Sequence, residues 1–188
     1  MRIPYIPTPP PVASPEEEAI IAAIAARRHP RPLQPLDLAL LHSLPIANGW
    51  NTFVGVVREQ TSLPDDLREL AICRIAVVNR AWYEWMHHAP LAIRAGVSSE
   101  AMEKLKGDTS LLKSEQSDAF TARQWAVSVM ADEMTRNVQV EDDTFALLKS
   151  LFTDKEVVEI VATVACYNCV SRFLVALDVG ERNGAEPE

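Results

Sequence analysis

Glu84 and His88 stand four residues apart in the run Ala-Trp-Tyr-Glu-Trp-Met-His-His that fills positions 81–88. On a helix that spacing puts both side chains on one face. A carboxylate beside an imidazole suits general acid–base chemistry, because the acid steadies one form of the ring while the ring exchanges protons near neutral pH. Glu84 is therefore expected to hold the tautomer of His88, and His88 to carry the proton. Glu69 lies one predicted helix earlier. It supplies a second carboxylate if the two helices pack antiparallel, as an acid–base group or as an organiser of the site. Trp82, Tyr83 and Trp85 flank these residues, and a site so framed suits a small planar or acidic organic molecule. His87 sits about 100° round the helix from His88 and is expected to be structural. Pro90 falls within the same helix and leaves the carbonyl of Met86 without its usual donor.

Other chemistries find less support. Cys166 and Cys169 form a Cys-x-x-Cys, but the motif falls in mid-helix, where no helix dipole lowers a thiol pKa. Its neighbours Val164, Ala165 and Val170 are apolar, and thiols in such surroundings are inert. Cys73 lies between Ile72 and Arg74 with no local partner. Glu69, Glu84 and His88 lack a second nearby histidine, so no metal is expected. The chain has no Gly-rich phosphate loop and no Gly-x-Ser-x-Gly elbow, so neither nucleotide binding nor serine hydrolysis is indicated, and no cofactor is expected.

The elements that must position these residues are helical. Strand patterns are absent, six glycines punctuate 188 residues, and nine of the 13 prolines fall at or before Pro35. Residues 1–14 read as an extended proline-rich arm. Ser14-Pro15-Glu16-Glu17 starts a helix that ends at Arg27-Arg28-His29. Further helices are predicted from Leu36, over 46–58, from Asp65 to Asn79, and over 81–95 with Gly96 as its cap. A short one follows Ser98 or Ser99, then come helices over 115–136, 141–151 and 154–177, with a loop over 106–114. Asp65–Ala76 and Lys155–Cys166 both place a glutamate early in an apolar helix, a faint internal echo. The expectation is an all-α fold of about eight helices.

A chain of 188 residues is the size of one domain or of two small halves packed as one. Hydrophobic residues make up 48% and charged residues 23%, which excludes disorder. No apolar run reaches the length of a membrane span, and no secretory signal opens the chain, so no membrane partner is expected. The net charge of −8, with no Lys/Arg block above it, argues against a nucleic-acid surface. Arg68, Arg74, Arg80 or Arg172 offers local positive charge to an anionic substrate. Three cysteines suit a reducing, cytoplasmic setting.

The stretch from Leu67 to Leu105, including Arg94-Ala95-Gly96-Val97-Ser98-Ser99-Glu100, resembles the carboxymuconolactone decarboxylase and alkyl hydroperoxidase D superfamily. Residues 165–177 are similar to that family's closing Tyr-Asn helix. The resemblance implies an alkyl hydroperoxidase D-like helical domain over 15–188, its motif core at 64–105, assembled as a trimer or hexamer. It adds Tyr167 to the substrate-binding set, and the proline-rich arm resembles fungal members. The peroxidase branch places a Cys-x-x-Cys pair where this chain has Ala81 and Glu84, whereas the decarboxylase branch has a Glu-x-x-x-His like Glu84 and His88. The implied function is a lyase or isomerase acting on a small carboxylated lactone or β-keto acid through His88, Glu84 and Glu69. Two alternatives remain open: a peroxiredoxin-type hydroperoxide reductase, and a non-catalytic oligomeric binding protein.

Overall fold

Capping chemistry decides where most of these helices begin and end. The computed structural model describes residues 1–107, 109–111 and 116–185, and among them are nine α-helices and no strand. The protein is all-α, with one helix more than the approximate count from sequence. The chain divides into two compact units, Met1–Thr61 with Leu177–Glu181, and Ser62–Ala176 with the residues from Arg182 onward.

In the first unit the arm is extended. Its backbone bonds Arg2 N–H to the Leu177 carbonyl and Ile6 N–H to the Leu38 carbonyl. Ser14 caps α1 (Pro15–Arg28), its hydroxyl accepting the N–H of Glu17 at 3.2 Å. Pro15 occupies the first turn, where its missing N–H costs nothing. The six-residue α2 (Pro35–Leu40) uses Pro35 in the same way, and α3 runs over Leu44–Glu59. Asp37 is buried and takes both arms of the Arg28 guanidinium at 2.7 and 2.8 Å.

The second unit is built on α4 (Asp65–Val78). From Leu70 to Ala76 every residue is shut off from solvent, so this helix is buried all round. It ends at Asn79, and the next N–H groups fold back: Arg80 to the Val77 carbonyl at 3.1 Å and Ala81 to the Ala76 carbonyl at 2.8 Å. This is the Schellman closure, with Arg80 in the left-handed position (φ 53°) that glycine usually fills. The chain thus turns straight into α5 (Trp82–Arg94), which packs along α4. α5 runs through Pro90 and ends in a second Schellman closure at Gly96 (φ 98°). Ser98 caps α6 (Ser99–Lys106), accepting the Ala101 N–H at 3.0 Å.

Next comes α7 (Ala122–Asn137), opened by a reciprocal capping box between Thr121 and Gln124. The predicted start at Glu115 lies outside the described residues, as does part of the predicted loop over 106–114. Residues 116–121 are not helical: the capping box sets the start that hydrophobic periodicity had placed earlier. α8 (Asp142–Leu151) and α9 (Asp154–Leu177) follow. By length and composition α9 is long and apolar enough to cross a membrane, contrary to the expectation that no segment is. Half of its most apolar window is buried within the protein, as in a core helix.

Arg74 corrects another expectation. It is fully buried and is no counter-charge for a substrate. Its guanidinium pairs with Asp132 of α7 at 2.6 Å and donates to the carbonyls of Leu105, Gly107 and Thr109. Asp132 also accepts from Ser110, the Leu111 N–H and Arg136. Burial pushes the Asp132 carboxyl up, but the Arg74 charge and these hydrogen bonds hold it below the usual carboxylate range.

Candidate active site

The turn at 79–81 lays α5 back along α4 and sets His88 against Glu69. Nδ1 of His88 donates to Glu69 Oε2 at 2.6 Å, the short distance of a charge-assisted hydrogen bond. Both groups are buried, Glu69 at 2% and His88 at 7% exposure. The carboxylate fixes the orientation of the ring through Nδ1. Sequence reasoning had given this orienting task to Glu84. The structure gives it to Glu69, because which acid meets the ring is decided by packing between helices rather than by spacing along one.

Glu84 is 2% exposed, and neither of its carboxyl oxygens has a hydrogen-bond partner. Burial drives its pKa well above the usual carboxylate range, and the nearby Glu69 charge drives it the same way. These surroundings favour the neutral, protonated form of Glu84, a donor rather than an acceptor. Burial likewise pushes up the thiol of Cys73, with the charges of Glu69 and Glu84 adding to it. Cys73, one turn after Glu69, therefore belongs to the same electrostatic cluster, a neighbour that sequence reasoning missed although the i,i+4 spacing from Glu69 carried the signal.

The aromatic residues divide. Tyr167 of α9 is buried and stands edge-on to His88, with ring centroids 5.2 Å apart at 82°. Trp85 belongs to the buried core with Leu70, Phe120 and Trp125, and Trp82 packs against that core from a half-buried position. Tyr83 is paired with His87, whose ring lies 4.4 Å away and whose Nδ1 donates to the Tyr83 carbonyl at 2.8 Å. His87 is thus held by its own helix, as a structural histidine would be. Among the described residues no cluster of His, Cys, Asp and Glu has the arrangement of a metal site. Cys166 is buried and Cys169 exposed on α9, neither in a disulfide.

Comparison with known proteins places this geometry. Residues 45–105 match the model of the Carboxymuconolactone decarboxylase family. That span carries α3 to α6, and with them Glu69, Glu84 and His88. No curated protein matches the sequence. Among solved structures, an uncharacterized peroxidase-related protein from Silicibacter sp. TM1040 superposes with a TM-score of 0.70 at 19% identity, over 93% of this chain and 92% of its own. A protein of unknown function from Agrobacterium tumefaciens, provisionally called the antioxidant defence protein AhpD, gives 0.64 at 17%, over 78% and 93%. The debrominase Bmp8 in complex with 2,3,4-tribromopyrrole gives 0.68 at 15%, over 88% and 84%. At these identities the likeness is one of fold.

Proposed function

We propose that this chain is a carboxymuconolactone decarboxylase/AhpD-like acid–base enzyme acting on a small carboxylated lactone or β-keto acid, a reading supported by the family-model match over residues 45–105. One observation carries the reading: a Glu69–His88 hydrogen bond stands beside a buried carboxylic acid, Glu84, that has no partner of its own. Two carboxyl groups in contrasting environments divide into an ionised and a protonated one, which is how one site runs base and acid chemistry at the same pH.

In decarboxylation the C–C bond to the carboxylate breaks and its electron pair moves onto the α-carbon and the adjoining carbonyl oxygen. Glu84, still protonated, donates a hydrogen bond to that oxygen as charge develops. His88, protonated at Nε2 and held through Nδ1 by Glu69, delivers a proton to carbon as CO₂ leaves. Tyr167 shapes the wall against the imidazole. For an isomerisation, His88 withdraws the proton and returns it one position along. A peroxide-reductase reading finds no thiol at Ala81 or Glu84, and Cys73 is held protonated by burial and two acidic neighbours. That a halopyrrole lies in Bmp8 supports a small planar ligand for this fold.

The test is turnover of a panel of carboxylated γ-lactones and β-keto acids, followed by CO₂ release and proton NMR. His88→Ala and Glu69→Gln are expected to abolish conversion of the accepted substrate, and Glu84→Gln to lower kcat with little effect on KM. Full turnover by His88→Ala overturns the mechanism.

A further inference from the structure

We propose that Arg68 is a positioning residue for the Glu69–His88 pair, fixing the oxygen of Glu69 that the imidazole does not hold. The proposal rests on the reading of that pair as an acid–base site. Consecutive side chains on a helix point about 100° apart and do not normally meet. Even so, Arg68 Nε comes within 3.5 Å of Glu69 Oε1. The guanidinium is strung between two carboxylates. Its Nη2 donates to Asp65 Oδ1 at 2.8 Å, in the first turn of α4, while Nε turns inward over Glu69.

Arg68 is 8% exposed, and its buried Nε has no hydrogen-bond partner. An unpaired buried N–H is costly, and 3.5 Å is close enough for charge attraction but long for a strong hydrogen bond. The two oxygens of Glu69 are thus shared out, Oε2 to the imidazole and Oε1 to the guanidinium. A carboxylate clamped from both sides keeps its orientation while His88 gains and loses a proton.

The charge acts in one direction. Guanidinium stays protonated at any working pH, so it favours the more negative states of the Glu69–His88 pair. Both proton-release steps of the pair therefore fall at lower pH than they would without Arg68. Burial disfavours the charged forms of Glu84 on α5 and of the Cys73 thiol on α4, the two other titratable groups coupled to Glu69. Tyr167 of α9 faces the imidazole with a ring edge. Asp65 carries negative charge, but its side chain is 75% exposed and is screened by solvent.

The readout is the imidazole titration of His88 by NMR, separated from His29, His42 and His87 by the signal lost in His88→Asn. The neutral variants Arg68→Gln and Arg68→Met are expected to move both steps of the pair upward by about one pH unit. Arg68→Lys, which keeps the charge, is expected to stay close to the original protein. Arg68→Met retains the apolar stem and serves where Arg68→Gln does not fold, as judged by circular dichroism. Steps unmoved in the folded neutral variant overturn the proposal. So does a shift in Arg68→Lys as large as in Arg68→Gln, which would trace the effect to packing rather than charge. Failure here is distinct from failure of the acid–base reading, which is decided by turnover in His88→Ala and needs no variant of Arg68.

Discussion

Replacing Glu84 by glutamine keeps the shape and polarity of the side chain and deletes its proton equilibrium. In the folded protein this carboxyl is buried without a partner and its pKa is pushed well above the usual range, by burial first and by the Glu69 charge second. In the unfolded chain it titrates near its ordinary value of about 4.3. Above that pH the unfolded state has released a proton that the folded state still holds, so rising pH favours unfolding. The contribution is therefore complete below about pH 4.3 and is lost as pH rises, at about 1.4 kcal/mol per pH unit, until Glu84 ionises in the folded protein too. Glu84→Gln has no such slope. Denaturant unfolding of both proteins, followed by circular dichroism from about pH 4 to pH 8, should show curves that coincide at the acid end and then separate. Near pH 7 the variant should be the more stable by about 4 kcal/mol if the folded carboxyl is still protonated there. Adding Glu69→Gln removes the second cause and should close the window at a lower pH. Parallel curves with a constant offset would mean that Glu84 ionises in the folded protein much as it does in the unfolded chain, and the argument for a neutral acid in the site would fail.

Three further outcomes follow from the same geometry. Arg74→Ala or Asp132→Asn breaks a fully buried ion pair that also holds the carbonyls of Leu105, Gly107 and Thr109, and each should cost about 3–5 kcal/mol in urea unfolding. Because the Asp132 carboxyl is held low in the folded state, its contribution is present above about pH 4 and is lost as pH falls further. Asp132→Asn should therefore flatten the acid limb of the stability curve. Thr121→Ala removes the hydroxyl that accepts the Gln124 N–H and should destabilise by about 1 kcal/mol, read as a lower Tm. In a maleimide assay on the folded protein Cys169 alone should react quickly, with Cys73 and Cys166 labelled only on unfolding; two fast thiols would contradict their burial.

Much of the helical frame was legible because its punctuation is local. Ser14-Pro15, Gly96 and Ser98 announce helix ends through their own chemistry, and the structure uses each of them. The end of α4 at Asn79 was legible as well, although Arg80 rather than glycine takes the left-handed position there. The start of α7 is set by the Thr121-x-x-Gln124 capping box, a local signal that the helical pattern over 115–136 does not take into account. The fate of Arg74 depended on Asp132, 58 residues away, and neither periodicity nor propensity reports a partner so distant. The aromatic residues of α5 fared similarly: their spacing is the same whether they frame a ligand or fill a core, and Trp85 fills the core.

The site shows the same division between what runs along a helix and what passes between helices. Spacing alone put Glu84 and His88 on one face and named Glu69 as the second acid. It said nothing of which carboxyl would be ionised, because proton state is set by partners. Glu69 has the His88 imidazole on one oxygen and the Arg68 guanidinium near the other. Glu84 has burial and a like-charged neighbour. Exchanging those surroundings would exchange the roles without moving either residue in the sequence. On the proposed acid–base reading, identical side chains become a base-side anchor and an acid because the 79–81 turn delivers α5 to one side of α4. A change at that turn that slides α5 along α4 should therefore abolish the chemistry while leaving every site residue in place.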